Sequence, residues 1–267
     1  MLEYEWMNTG EIIDAQKDAA LFGFVVEATV PLLADGPTVL GTGTLFTHEG
    51  KHFIVTAAHI LKVDHEDPES EDIDLTGIAV PDGRTHATIF TLGSLNVHRP
   101  APPSRVDVAV LELLDPQSIA VLKGGWRFLT LDVARSVPTE ARYILAGFPK
   151  AGATWDGKNV GQNFLMLATD KLPRIPKLQD LDPSVDLFFH LEEEGELLDG
   201  SRRKIPELNG MSGASVWAYT EPSGLWTPSA ALGVVAVQCS YSPGRWFRCV
   251  DWAAVRYILN KPEFSCR

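Results

Sequence analysis

Short runs of apolar and β-branched residues, separated by Gly, Pro, Asn and Asp, recur along most of the chain. Runs of this length, bounded by turn residues, predict β-strands and favour an all-β barrel or sandwich. Helical spacing of apolar residues is confined to the two ends, where it predicts a short helix within 10–20 and a terminal helix from Trp252 to Leu259 that Asp251 could cap. The predicted strands are 22–30, 39–46, 52–57, 73–80, 85–92, 106–114, 142–147, 162–169, 185–191, 215–219, 231–239 and 245–250.

The strands divide into two groups of similar length. Two barrels of roughly 110 residues each fit a chain of 267 residues. The least strand-like interior stretch is 115–138, so we place the crossover there. The predicted organisation is a single domain, 1–267, with an N-terminal barrel at 20–125, a C-terminal barrel at 126–250 and a helix at 251–260.

Charge and composition narrow the classes of function. The formal net charge is −12 and the pI is near 5.0, which argues against nucleic-acid binding, because that needs a basic surface. The short basic stretches 171–177 and 202–204 are interpreted as solvated loops. No apolar run approaches the ~20 residues of a membrane helix, and the first 20 residues lack the pattern of a secretory signal. We therefore expect a cytoplasmic protein that does not bind membranes.

The cysteines and one acidic segment bear on disulfides and metals. Three cysteines, an odd number, indicate reduced thiols, although Cys239 and Cys249 could face each other across a hairpin. Their spacing offers no metal site, and we expect no cofactor. The segment 65–74 is rich in Asp and Glu and is interpreted as an exposed loop. A calcium site there is an open alternative, although the spacing matches no known calcium loop.

Three short segments carry residues suited to catalysis. His59 follows the strand 52–57, where a rigidly held imidazole can face a cleft and act as a base. Asp107 precedes an apolar strand, where a buried carboxylate needs a partner. Ser212 lies in Gly210-Met211-Ser212-Gly213, a tight loop whose N–H groups could converge on one point. Taken alone, each residue is more simply explained as structural.

Their order along the chain is His59, Asp107, Ser212, which is the order of the chymotrypsin triad. With its flanking segments, the sequence resembles the chymotrypsin-like (trypsin-like, S1-type) serine protease family, in a bacterial-type intracellular form. The resemblance implies two six-stranded antiparallel β-barrels with the site between them. Six segments carry it: Gly41-Thr42-Gly43-Thr44-Leu45, Thr56-Ala57-Ala58-His59, Asp107-Val108-Ala109-Val110-Leu111, Gly210-Met211-Ser212-Gly213-Ala214, Gly233 to Gln238, and 243–250 with the helix that follows.

The resemblance also implies a role for each residue. Ser212 is expected to be the nucleophile, His59 the general base and Asp107 the residue that orients the base. The N–H groups of Gly210 and Ser212 are expected to form the oxyanion hole. The expected substrate-binding residues are Pro206, Ala236, Val237, Gln238 and Gly244.

Two departures from the family pattern change the expectation. Met211 stands where secreted members carry the aspartate that pairs with a newly cleaved N-terminus, so activation by N-terminal trimming is not expected. Pro206 stands at the expected floor of the specificity pocket, where no acidic residue is present to select Lys or Arg. We expect a neutral P1 residue of modest size, P1 being the residue whose carbonyl is attacked.

The sequence therefore predicts a serine endopeptidase that acts on a restricted set of proteins or peptides. A regulatory protein partner could gate it, and the segment 192–204 could serve as a lid or docking loop, although a solvated hairpin is the simpler interpretation. Two alternatives stay open. One is an inactive protease fold used as a binding module, and the other is an esterase that uses the same triad.

Overall fold

The computed structural model describes residues 9–34, 38–64, 70–83, 87–100, 105–138, 141–151, 153–155, 159–161, 163–178, 181–196 and 202–260. The described residues form four helices: α1 (Thr9–Ala28), α2 (Pro116–Gly125), α3 (Pro228–Ala231) and α4 (Ala253–Leu259). They also form eighteen strands: β1 (Thr29–Ala34), β2 (Thr38–His48), β3 (Lys51–Thr56), β4 (Ala79–Pro81), β5 (Ala87–Thr91), β6 (Leu95–His98), β7 (Ala109–Leu113), β8 (Leu129–Thr130), β9 (Arg142–Gly147), β10 (Thr154–Trp155), β11 (Asn159–Gly161), β12 (Leu165–Thr169), β13 (Asp186–His190), β14 (Glu194–Glu196), β15 (Arg202–Lys204), β16 (Ser215–Tyr219), β17 (Leu232–Ser242) and β18 (Trp246–Asp251).

Two antiparallel sheets confirm the predicted all-β class. The first follows the order β10-β11-β5-β4-β1-β2-β3-β7-β6, with β8 joined in parallel to β2. The second follows the order β12-β9-β16-β17-β18-β13 and has the six strands that were predicted. The first sheet has ten strands, not six, because it also contains β6, which the sequence analysis missed, and β8, β10 and β11, which follow residue 125. The boundary between 125 and 126 stays a prediction.

The inner faces of the two sheets and two helices share one apolar core. Phe46 and Val110 of the first sheet pack in the same cluster as Trp217 and Val237 of the second. The α4 helix also contributes to it, and α4 begins two residues after the predicted cap. The Asp251 carboxylate accepts the Ala253 N–H at 2.8 Å, in the manner expected of a residue that starts a helix. This shared core fixes one sheet against the other.

The N-terminal helix corrects the sequence-based prediction. A short helix within 10–20 and a strand at 22–30 were expected, but α1 continues to Ala28 and the strand begins at Thr29. Leu21, Val25 and Ala28 are buried at helical spacing in the shared core, and Phe24 packs edge-on against Trp217. Burial of this face therefore outweighs the β-propensity of the Phe-Val run.

The segment 192–204 contains a small two-stranded sheet. In it, β14 and β15 pair antiparallel, with Glu194 opposite Lys204. Gly195 packs so closely on Leu167 of β12 that an added Cβ would lie 2.2 Å from that side chain. A hairpin was the simpler interpretation of this segment, and residues 197–201 lie outside the described residues. None of the described helices is long and apolar enough to cross a membrane.

Candidate active site

The pairing of β3 with β7 brings His59 and Asp107 together. The two strands are antiparallel, and Thr56, the last residue of β3, lies opposite Ala109, the first residue of β7. His59 follows the end of β3 by three residues, and Asp107 precedes β7 by two. Ser212 lies in the loop immediately before β16, which is a strand of the second sheet. The site therefore lies where the two sheets meet.

The three side chains form one chain of hydrogen-bond contacts. His59 Nδ1 lies 2.6 Å from Asp107 Oδ2, and the His59 backbone N–H donates to Asp107 Oδ1 at 2.8 Å. His59 Nε2 lies 3.0 Å from Ser212 Oγ. The Asp107 carboxylate thus holds both the ring and the backbone of His59. The His59 and Asp107 side chains are 23% and 22% exposed, so the pair is partly open to solvent.

Asp107 is held in its ionised form. Burial by itself would raise the pKa of the Asp107 carboxyl, but the two hydrogen bonds and the charge of His59, with the positive charge of Arg248, outweigh it and lower the pKa below 3.8. Arg248 is itself paired with the buried Asp186 at 2.8 Å. An ionised Asp107 can orient the His59 ring and stabilise it when the ring becomes positively charged.

Close packing shapes the loop that carries Ser212. The Ser212 carbonyl accepts the Thr42 N–H at 2.8 Å, which joins the loop to β2. Gly213 has φ +89°, and a Cβ there would lie 2.1 Å from the Thr42 carbonyl oxygen and 2.2 Å from Thr56 Oγ1. Only glycine fits this conformation and this space. This packing places the Ser212 side chain next to His59.

Two backbone N–H groups of the loop are available to a ligand. The Asn209 carbonyl accepts the Lys150 N–H at 2.6 Å, and the Met211 carbonyl accepts the Ala214 N–H at 2.7 Å. The carbonyl and the next N–H point in opposite directions across a trans peptide, so the N–H groups of Gly210 and Ser212 point away from these contacts. No backbone carbonyl of the described segments accepts either N–H. They are the two groups that the sequence predicts for the oxyanion hole.

The prediction that a substrate contacts β17 at residues 236–238 has to be corrected. Ala236, Val237 and Gln238 are at most 1% exposed and lie inside the second sheet. The first two pair with β16 on one side and β18 on the other, and the Gln238 backbone bonds to the Ser212 loop and pairs with β18. No backbone edge is left at these residues for a peptide. A peptide strand therefore cannot pair with β17 at these three residues.

The open edge of β17 begins after a bulge. The register with β18 shifts between Gln238 and Ser240, and from Ser240 to Ser242 the structure pairs β17 with β18 alone. Among the described residues the other edge of this part of the strand is unpaired, and it directly follows Cys239, whose thiol contacts the Asp107 carbonyl. A bulge moves the register without leaving a sequence pattern that would reveal it, which is why the sequence-based assignment missed it.

The two other predicted substrate-binding residues are at least partly open to solvent. Pro206 is partly buried between β15 and the Ser212 loop, and Gly244 is exposed in the β17–β18 turn with φ +67°. Tyr241, which the sequence analysis missed, has a hydroxyl that donates to Asn209 Oδ1 at 3.1 Å. Its side chain therefore bridges the open edge of β17 and the residue before Gly210. The signal available in the sequence was the aromatic residue two positions before Pro243.

Cys239 was also missed. Its thiol donates to the Asp107 backbone carbonyl, with 3.2 Å between Sγ and O. Burial and the nearby Asp107 charge raise the pKa of this thiol well above 9.0, so it stays protonated and can act as a donor. Both Cys239 and Cys249 are free thiols and are buried. The facing pair that the sequence left open is not a disulfide.

Metal binding finds no support among the described residues, where no three His, Cys, Asp or Glu side chains are grouped as ligands. Within the acidic segment, 65–69 lies outside the described residues. The Asp72 carboxylate is bound by both terminal guanidinium nitrogens of Arg99, at 2.8 and 2.9 Å, and by Lys62 at 3.1 Å.

A cavity of about 340 Å³ lies elsewhere, between β12 and β13, and none of the three candidate catalytic residues lines it.

Comparisons with known proteins find no match for the sequence among protein-family models or curated proteins. Solved structures do match. The Mycobacterium tuberculosis protease Rv3671c, in an inactive form, is 14% identical over all of this chain and 99% of its own, with a TM-score of 0.47. The serine protease domain of the Sesbania mosaic virus polyprotein is 13% identical over 88% of this chain and 94% of its own, with a TM-score of 0.48. The human astrovirus serine protease is 14% identical over 90% and 94%, with a TM-score of 0.43. The three neighbours named here are serine proteases. The chain itself has two antiparallel sheets that pack on one shared core.

Proposed function

We propose that this protein is a serine endopeptidase that forms an acyl-enzyme on Ser212. The observation that carries the proposal is the continuous contact from Asp107 through His59 to Ser212, at 2.6 and 3.0 Å. A serine hydroxyl is a weak nucleophile until a base removes its proton, and His59 Nε2 lies within reach of that proton. This arrangement is the working geometry of acyl transfer.

The proposed reaction has two halves. His59 takes the proton of Ser212 as Oγ attacks the carbonyl carbon, and the oxyanion is bound by the N–H groups of Gly210 and Ser212. His59 then gives the proton to the leaving amine as the C–N bond breaks. In the second half, His59 takes a proton from water, the resulting hydroxide attacks the ester, and the proton returns to Ser212 as the acid leaves. Asp107 stays ionised throughout and stabilises the charged ring.

The open edge of β17 favours a peptide over a simple ester. A peptide can pair with the Ser240–Ser242 backbone as an added strand, and its hydrogen bonds would hold the scissile carbonyl in register. A small ester has no backbone for this edge. We therefore rank peptidase activity above the esterase alternative.

The contact between Tyr241 and Asn209 bears on the P1 residue. A peptide paired with β17, with its carbonyl at Gly210, would place the P1 side chain between these two residues, and the 3.1 Å hydrogen bond spans that gap. We infer a preference for small neutral P1 residues such as Gly, Ala or Ser. This narrows the expectation of a neutral, modest-sized residue that followed from Pro206.

Labelling with a fluorophosphonate probe tests the proposed activity. The wild-type protein should be labelled and the Ser212→Ala variant should not. Ser223, an exposed serine in the loop after β16, provides the matched control, and Ser223→Ala should be labelled as wild type. A folded wild-type protein that is not labelled would contradict the proposal and favour the binding module. If it is labelled but cleaves esters and no peptides, the esterase alternative stands.

Three further parts of the proposal rest on the sequence analysis. The barrels at 20–125 and 126–250 are proposed as parts of one peptidase domain. Gating by a regulatory protein partner and a cytoplasmic location are carried forward as predictions.

A further inference from the structure

Thr42 of β2 belongs to the first sheet, but its side chain bonds to the second half of the chain. It is fully buried. Its hydroxyl donates to the Gly210 carbonyl at 3.0 Å and accepts the Phe148 N–H at 3.0 Å. Its backbone N–H donates to the Ser212 carbonyl at 2.8 Å. One residue thus bonds to both residues that supply the proposed oxyanion hole.

The direction of these bonds fixes the hydroxyl proton. The Phe148 N–H occupies an acceptor position of the Thr42 hydroxyl, so its single proton is left for the Gly210 carbonyl. The partner of Thr42 in β1 is Pro31, which has no N–H, and the Thr42 carbonyl instead accepts the Thr56 hydroxyl at 2.7 Å. Every polar group of Thr42 therefore has a defined partner in the site.

The Gly210 carbonyl matters because glycine is conformationally permissive. Gly210 has φ +89°, and its two adjoining peptides could rotate more easily than those of any other residue. The Lys150 N–H holds the peptide before it through the Asn209 carbonyl, and the Thr42 hydroxyl holds the peptide after it. The Lys150 bond sets the direction of the Gly210 N–H, which belongs to the same peptide as the Asn209 carbonyl. The Thr42 bond and the Met211 N–H, which donates to the Leu208 carbonyl at 2.9 Å, hold the following peptide, so the loop cannot rotate about Gly210 without breaking them.

We propose that the Thr42 hydroxyl is a positioning group that keeps the oxyanion hole formed. The inference rests on the proposed function. It also supplies what Met211 cannot, because this buried methionine has no charge with which an N-terminal amine could order the loop. The hole is then ready without proteolytic trimming. Thr42 does not touch the substrate and acts only through the loop.

Two substitutions separate the hydroxyl from the shape of the side chain. Thr42→Val keeps the shape and removes the hydroxyl, and Thr42→Ser keeps the hydroxyl. Thr44→Val is the matched control, since Thr44 is equally buried on the same strand and its hydroxyl also reaches the second sheet, at Ser215, away from the oxyanion loop. The measurements are kcat and KM on a peptide substrate, the affinity for a peptide boronic acid, and hydrogen–deuterium exchange of the peptide covering 208–213.

The expected result is specific to Thr42→Val. Its kcat should fall by about 10- to 100-fold, less than the roughly 10²- to 10³-fold typical of deleting a donor outright, with KM little changed. Affinity for the boronic acid should fall in parallel, and exchange over 208–213 should accelerate. Thr42→Ser should restore most of the activity, and Thr44→Val should change none of the three readouts by more than about twofold.

Two results would overturn the inference. One is a folded Thr42→Val variant with wild-type kcat and exchange, and the other is the same loss in Thr44→Val. The exchange measurement needs no activity, so it tests the positioning role even if the wild-type protein fails to react with a fluorophosphonate. Failure to react would count against the proposed function alone.

Discussion

Replacing Asp186 with asparagine tests the buried ion pair that lies behind the site. The Asp186 side chain is 1% exposed, and both of its oxygens are occupied. Oδ1 accepts Arg248 Nε at 2.8 Å, while Oδ2 accepts the Arg248 terminal nitrogen at 3.0 Å and the Asp182 N–H at 2.8 Å. All three partners are donors, so the amide nitrogen of an asparagine would necessarily face one of them. The variant also leaves the Arg248 charge without its partner.

The expected loss follows from burial. Arg248 is only 19% exposed, and leaving one member of a buried pair without its partner typically costs about 3–5 kcal/mol. For a domain of this size, each kcal/mol lowers Tm by roughly 2–4 °C, which gives a fall of about 6 to 20 °C. A more exposed arginine–carboxylate pair at comparable distances provides the contrast. Arg127 is 51% exposed and Glu27 27%, so Glu27→Gln should cost no more than about 1 kcal/mol.

Thermal unfolding and urea denaturation, followed by circular dichroism, measure both variants. Fluorophosphonate labelling at a temperature where Asp186→Asn is folded separates its stability from its chemistry, and labelling should persist because the triad does not include this pair. A loss below 1 kcal/mol for Asp186→Asn, or equal losses in the two variants, would refute the argument from burial.

Four other experiments test separate parts of the structure. Gly213→Ala should destabilise the protein by about 3 kcal/mol or more, because its Cβ would lie 2.1 Å from a backbone oxygen. Gly224→Ala, at an open position, should change thermal stability by less than about 0.5 kcal/mol. The Cys239 thiol should resist iodoacetamide at pH 8 in the folded protein and react in urea, since burial and the neighbouring carboxylate keep it protonated; rapid alkylation of the native protein would contradict this. A hydrogen bond from Arg99 lowers the pKa of the Asp72 carboxyl from its ordinary value of 3.8. The stabilisation of the protein by ionised Asp72 is therefore complete above pH 3.8 and is lost as the pH falls through the lower pKa of the folded state. In urea denaturation, the difference between wild type and Asp72→Asn should therefore be level from pH 8 to 5 and close below pH 3.8, whereas closure near pH 6 would exclude this cause. Tyr241→Ala should raise kcat/KM for Leu or Phe at P1 about tenfold relative to Ala at P1, measured with matched fluorogenic peptides, and an unchanged ranking would show that Tyr241 does not limit the pocket.

The sequence predicts those parts of the site that depend on local chemistry. Ser212 is marked by glycines on both sides, His59 by its place after a buried strand, and Asp107 by the apolar strand that follows it. Each segment carries its own signal, and the chain order supplies the connection between them. The structure brings the three side chains to hydrogen-bond distance, and their proposed roles await the labelling experiment.

The parts that the sequence missed depend on contacts between distant segments. The Phe-Val run at 22–26 has the composition of a strand, but one face of a helix there is buried against the shared core. Propensity is a weak guide where burial decides the outcome. The open edge of β17 was missed for a related reason, because a single bulge between Gln238 and Ser240 shifts the pairing beyond it. Neither feature can be predicted from the segment in which it occurs, because each depends on contacts with distant parts of the chain.

Thr42 is a residue whose local sequence gives no signal and whose contacts with distant segments only the structure reveals. The sequence presents Gly41-Thr42-Gly43-Thr44, and nothing in it distinguishes the two threonines. In the structure, a Cβ at Gly41 would lie 2.6 Å from the Ser212 carbonyl oxygen, so the glycine is what lets β2 approach the Ser212 loop closely. That approach brings the next residue, Thr42, within reach of Gly210, while Thr44 meets Ser215 two positions further along the strand. The glycine thus allows the close approach that places one particular hydroxyl against the loop proposed to hold the oxyanion.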